Sequence, residues 1–242
     1  MATAAKVGAN MTGVQMSPKD TKSLLEAVEQ IRPDVAGNDK GAMLERIKRT
    51  EEADRIGSVP VPGSAKGMLK TTFDMALGKS PEILIDKLGE RLAFERSGVR
   101  LYDAMIAKAK AKALGTADSD LIPVLQHIRD EEFEHMNMVR EAIETLGADP
   151  TAVTPCADVA GVKAMGVMQV LTDPRTNIAQ GMGALLTIEL EDNAAWELLI
   201  ELAEAGGHPN IAKSFHKAKD QEDDHLVKIK TLVRRDLIVQ IK

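Results

Sequence analysis

The chain has 242 residues, of which 44% are hydrophobic and only 2% aromatic, and its net charge is −6. That length fits one large domain, or a bundle with an appendage. A core built from Leu, Ile, Val, Ala and Met suits helix packing and excludes the aromatic, β-branched interior of a β-sandwich. The acidic balance argues against nucleic acid as a partner, which needs a basic footprint.

One cysteine, Cys156, excludes an intrachain disulfide framework. The opening residues lack the apolar stretch of a signal peptide. No apolar run approaches the ~20 residues that span a bilayer. The expectation is a cytoplasmic protein with no membrane partner.

In chain order, residues 1–16 are small and polar and read as disordered. Ser17-Pro18 reads as a cap followed by proline at the first helical position, opening a short helix to about Ile31 that Pro33 stops. A second helix, charged on most faces, is expected from Lys40 to about Arg55. Val59-Pro60-Val61-Pro62-Gly63-Ser64 is a break, and a third helix is expected over Ala65 to Leu77. Residues 1–80 thus read as an N-terminal extension of short helices and linkers.

From Ser80 the pattern changes. Ser80-Pro81 opens a long helix to about Leu114, with Leu88, Leu92, Phe94, Val99, Tyr102, Met105 and Ile106 as its apolar stripe. Gly115 ends it, and Ser119 caps a second long helix to about Leu146. Gly147-Ala148-Asp149-Pro150 is a stop. Residues 148–172 form a long connection with a short helix near Val159–Leu171. A third long helix is expected from about Pro174 to Ala205, ended by Gly206-Gly207, and a fourth from Pro209 to about Leu237.

The first and second long helices, and the third and fourth, have short links and so pair antiparallel. The link between the pairs is long enough to cross the bundle. The fold class expected over residues 81–242 is all-α, an up-down four-helix bundle with one long crossover.

The two halves of this region repeat one another. Leu92-Ala93-Phe94-Glu95 is followed seven residues after the glutamate by Tyr102, and Leu186-Thr187-Ile188-Glu189 by Trp196. The second helix carries Glu131-Glu132-Phe133-Glu134-His135 and the fourth carries Gln221-Glu222-Asp223-Asp224-His225. Such a pattern reads as a duplicated helix pair, related by a pseudo-two-fold axis that brings the two Glu-x-x-His motifs face to face.

Residues three apart on a helix share a face, so Glu132 with His135, and Glu222 with His225, can each ligate one ion. Glu95 and Glu189 add two carboxylates from the other helices. Four glutamates balance two divalent cations; without metal, they would repel one another in a bundle core and be costly to desolvate. Oxygen donors with two imidazoles and no thiolate suit iron or manganese.

These residues, over about 81–237, resemble the ferritin-like superfamily of dinuclear carboxylate proteins, notably bacterioferritin and rubrerythrin. The resemblance implies that Glu95, Glu132, His135, Glu189, Glu222 and His225 are the metal ligands. Glu132 and Glu222 would bridge, and the other four would be terminal. It implies two iron ions as cofactor and their oxidation by dioxygen or peroxide, with Tyr102 beside the site as candidate catalytic residue. It also suggests Glu131 and Gln221 as partners that orient a ligand histidine.

The chain departs from these relatives in two ways. It lacks the cysteine pairs of a rubredoxin domain, which leaves the electron donor unidentified, and its long N-terminal extension is unlike chains that build storage cages. A homo-oligomer, a dimer first, is expected instead of a 24-subunit shell.

Other residues carry weaker signals. Asp192, three after Glu189, reads as an extra ligand or a hydrogen-bonding neighbour of the site, and Glu191 as pointing away. Trp196, His127 and His216 read as packing or surface residues. Met165, Met168 and Met182 are expected to pack over the crossover. The functional expectation is a ferroxidase- or peroxidase-type oxidoreductase. The alternatives are a manganese catalase, a metal-binding bundle without turnover that acts through partners, and a bundle that has abandoned metal.

Overall fold

The computed structural model describes residues 12–31, 34, 37–65, 67–69, 80–113 and 121–241. Cα packing divides the described residues into two units, the first ending at Arg55 and the second beginning at Ile56. Seven α-helices have defined bounds, residues 65 and 67–69 are also helical, and there is no strand among the described residues.

The first unit holds α1 (Pro18–Gln30) and α2 (Asp39–Glu52), neither of which buries a residue. Pro18 opens α1 as expected. Ser17, however, makes no capping bond to the backbone; its hydroxyl donates to Asp20. Asn38, a residue the sequence reading passed over, caps α2 by accepting from the Gly41 amide.

The second unit contains α3 (Pro81–Ala113), α4 (Leu121–Thr145), α5 (Pro155–Thr172), α6 (Ile178–Ala205) and α7 (Pro209–Ile241). The expected breaks at Gly115 and Ser119 lie outside the described residues, as does most of the helix expected over Ala65 to Leu77.

Both internal stops are Schellman motifs. The Gly147 amide donates to the Glu144 carbonyl and the Ala148 amide to Ile143; the Gly207 amide donates to Glu204 and that of His208 to Ala203. Gly147 and Gly207 have φ of +83° and +80°, the left-handed conformation that glycine adopts without a Cβ clash.

Two helix starts differ from the sequence reading. α5 begins at Pro155, capped by the Thr154 side chain. α6 begins at Ile178, not at Pro174, because Asn177 and Gln180 form a reciprocal capping box.

Cross-helix contacts set the directions. Arg129 of α4 meets Asp103 of α3, and Glu132 lies beside Gly98, so α3 and α4 are antiparallel. Lys219 of α7 meets Glu197, and Asn193 meets Asp223, so α6 and α7 are antiparallel. Arg91 meets Asp192 and Met105 meets Gly181, which sets α3 against α6. Glu131 and Glu134 of α4 meet His225 and Lys217 of α7.

The crossover helix α5 runs alongside α3. Thr154 contacts Asp86 at one end, and Lys108 donates to the Asp173 carbonyl at the other. Its 18 residues, about 27 Å of helix, carry the chain between the ends of the bundle.

The interior has two apolar clusters. One joins Leu88, Leu92, Val139, Ile143, Trp196, Leu199 and Phe215. The other joins Leu101, Tyr102, Met105, Leu125, Ile128, Met182, Leu185 and Ile229. Met182 is buried and Met168 half-buried, but Met165 is 57% exposed, so it faces away from the packing expected of it. Between the clusters lies a layer of buried charge.

Candidate metal centre

Four helices supply that layer. Each of the six side chains singled out by the repeat lies on a core-facing stripe, and all are fully buried: Glu95 on α3, Glu132 and His135 on α4, Glu189 on α6, Glu222 and His225 on α7. They form two overlapping sets, Glu95 with Glu132, His135 and Glu222, and Glu189 with Glu132, Glu222 and His225. Within each set one donor atom per residue lies within 4.8 Å of the others. Glu132 and Glu222 belong to both.

Glu222 sits centrally. One oxygen is 2.8 Å from His135 Nδ1 and the other 3.3 Å from His225 Nδ1. Glu95 lies 4.0 Å from His135 Nδ1, and Glu189 lies 3.9 Å from His225 Nδ1. Both Nδ1 atoms therefore face the cluster.

Both Nε2 atoms face outward, onto the two residues read as orienting partners. His135 Nε2 is 3.2 Å from Gln221 Oε1, and His225 Nε2 is 2.8 Å from Glu131 Oε2. The Gln221 amide in turn donates to Glu131. Each partner serves the histidine of the opposite half. His127, largely exposed, lies 3.3 Å from Glu131.

Electrostatics mark the layer as unfinished by protein alone. Burial, then the Glu222 charge, raises Glu132 well above the carboxylate range and Glu189 to about 8. Burial also raises Glu95, against the Arg91 charge. Burial opposes ionisation of Glu222 too, but hydrogen bonds from both histidines outweigh it and lower that group to about 2. Burial disfavours charge on His225, yet Glu222 outweighs it and raises that imidazole to about 9.

Both oxygens of Glu132, the Glu95 oxygen turned from Arg91 and the Glu189 oxygen turned from Tyr102 have no hydrogen-bond partner, and the two Nδ1 atoms face only carboxylates. Buried polar atoms are normally satisfied. This convergent, unsatisfied set of oxygen and imidazole donors fits a pair of divalent cations.

Tyr102 is fully buried and its hydroxyl donates to Glu189. It therefore reaches the cluster through a glutamate of the other half, and burial followed by the Glu189 charge raises it well above the phenol range. Its counterpart Trp196 packs edge-on against His135 and Phe215, with ring centroids 5.5 and 5.2 Å apart.

Asp192 is fully buried but belongs to neither donor set; it lies 2.6 Å from Arg91 Nη1. Glu191 pairs with Lys163, away from the cluster. His216 is exposed.

Two site residues escaped the sequence reading. Arg91, 3% exposed, lies 3.0 Å from Glu95 as well as against Asp192, and its guanidinium sits 3.9 Å over the Phe94 ring. Its position four residues before Glu95, on the apolar stripe, was the available signal. Gly98, one turn after Glu95, is the other: a Cβ there would stand 2.5 Å from the Glu132 carboxylate.

The Arg91–Asp192 pair yields a stability expectation. Arg91→Met leaves Asp192 uncompensated and is expected to cost about 3–5 kcal/mol in urea denaturation. Adding Asp192→Leu is expected to restore the part of that loss due to Asp192, while Glu95 stays without its Arg91 partner. A double variant no more stable than the single one would contradict the pairing.

The family model described as "Ubiquinone biosynthesis protein COQ7" matches residues 85–182. The match spans Glu95, Glu132 and His135 and ends before Glu189. No curated protein and no solved structure matches the chain. No helix among the described residues is long and apolar enough to cross a membrane. The family match and the buried carboxylate–histidine cluster together bear out the resemblance to the ferritin-like superfamily of dinuclear carboxylate proteins.

Proposed function

We propose that this ferritin-like chain is a dinuclear non-haem iron protein that reacts with dioxygen or peroxide, in the manner of a ferroxidase or peroxidase. The observation that carries the reading is the pair of overlapping donor sets sharing Glu132 and Glu222. Glu95 with His135, and Glu189 with His225, would hold one ion each, and the two shared carboxylates would bridge. Two irons held there would supply the electrons for reduction of dioxygen or peroxide.

The protein's own contribution is positional. Gln221 and Glu131 hold the imidazole Nε2 atoms, so that Nδ1 presents its lone pair inward. Tyr102 restrains Glu189 by donating to it. The apolar clusters on either side keep bulk water from the layer. Manganese would fit the same donors, with peroxide disproportionation as the corresponding activity.

A second reading is oxidation of an apolar organic substrate. It is supported by the ubiquinone-biosynthesis description of the matched family and by a mainly apolar groove lined by Ala104, Ala107, Ala111, Leu171 and Pro174 together with Lys108 and Thr172.

Anaerobic loading with ferrous iron, followed by dioxygen or peroxide, tests the proposal through the growth of ferric absorption. Two irons oxidised per chain are expected, and Tyr102→Phe should keep that stoichiometry while slowing the oxidation. Absence of metal-dependent oxidant consumption would sink the proposal. Turnover of ferrous iron beyond two per chain favours the ferroxidase reading, whereas consumption that requires an added quinol favours the second. Manganese-loaded protein that evolves dioxygen from peroxide, with an inert iron form, would make it a catalase.

A further inference from the structure

The repeat makes the two halves of the centre look interchangeable, but the atoms around the histidines do not. Glu131 and Gln221 occupy equivalent places, each immediately before the motif glutamate. An ionised carboxylate only accepts hydrogen bonds. The Gln221 nitrogen donates to Glu131, so the Gln221 oxygen is left to face His135. His135 Nε2–H therefore donates to a neutral amide oxygen at 3.2 Å, while His225 Nε2–H donates to a carboxylate at 2.8 Å.

An anionic acceptor makes the imidazole a stronger donor through its other nitrogen. His225 is thus the more basic ligand. A second asymmetry acts in the same direction. Arg91 lies 3.0 Å from Glu95, the carboxylate of the His135 set, and draws negative charge away from it. Glu189, in the His225 set, receives only the neutral Tyr102 hydroxyl. Asp192 offsets Arg91 from the far side and is itself outside both sets.

We propose that the two cation positions are unequal. The position formed by Glu189 and His225 with the shared Glu132 and Glu222 fills first. The position formed by Glu95 and His135 with the same bridges fills second, so a singly loaded form accumulates at substoichiometric metal. This rests on the reading of the six residues as ligands.

Anaerobic titration of the full chain with Co²⁺, followed by d–d absorption and calorimetry, tests it. Two steps separated by ~10-fold or more in affinity are expected, the scale on which hydrogen-bond partners of ligand histidines act. Glu131→Gln should weaken the first step ~10-fold and close the gap; Gln221→Glu should tighten the second step. Both changes are near-isosteric but both alter the Gln221–Glu131 hydrogen bond, so the Glu131→Gln result decides, and far-UV circular dichroism checks the fold. Two equal steps in the unaltered chain, or a Glu131→Gln variant weakened only in the second step, would overturn the inequality and leave the ligand reading standing. No cobalt binding at all would overturn both.

Discussion

Glu222→Ala is expected to empty both cation positions, not one, lowering affinity by more than ~100-fold at each. The reason is geometric. The two Glu222 oxygens face different imidazoles, at 2.8 and 3.3 Å, and the residue belongs to both donor sets. Glu95→Ala and Glu189→Ala remove one terminal donor each and should leave the other position able to bind one ion. Metal counting on purified variants by elemental analysis, with circular dichroism as the folding control, separates these outcomes. A Glu222→Ala chain that still holds one tightly bound ion would show that the carboxylate does not bridge.

The metal-free protein is expected to lose stability steadily as pH rises from about 6.5 to 9, and bound metal is expected to reverse that trend. His225, raised to about 9, favours the folded state below its unfolded value near 6.5, and the contribution disappears as pH climbs through 9. Glu189, raised to about 8, keeps its proton when folded and loses it when unfolded above about 4.5. Between those values folding takes up a proton, so this contribution too is lost as pH rises through 8. Glu222 runs the other way. It is lowered to about 2, so its contribution is present above the unfolded value near 4.5 and disappears as pH falls towards 2.

Cations compete for the same lone pairs as protons, so metal affinity climbs as the protons leave. Two ions, each at ~100 times its dissociation constant, add roughly 5 kcal/mol. That corresponds to about 10–20 °C in Tm for a domain of this size. Scanning calorimetry at pH 6 and pH 8, with and without ferrous or manganous ion under anaerobic conditions, reads the effect directly. A Tm gap that narrows with rising pH would contradict it.

What could be read from the sequence was local. Glu132 with His135 and Glu222 with His225 declare a shared face through their spacing alone, and repetition of the pattern after Glu95 and Glu189 pointed to a common layer. Gly147 and Gly207 announced the helix ends because the left-handed turn needs glycine there.

What stayed hidden depends on partners far apart in the chain. Nothing in Tyr102 or its neighbours says that its hydroxyl meets Glu189 across the bundle. Arg91 reads as one charged residue among many until Asp192 is found beside it. Gly98 looks like a weak spot in a helix until the Glu132 carboxylate occupies the space that a side chain would need. The start of α6 was misplaced because Pro174 is a louder signal than the Asn177–Gln180 box that sets it.

The charged layer between the two apolar clusters has a mechanical consequence. Two greasy compartments that do not merge are tied across the partition by backbone and by whatever neutralises the carboxylates. With protons there, either end of the bundle can loosen by itself. With cations there, four rods are pinned at their midpoints like staves under a hoop, and opening one end strains the other.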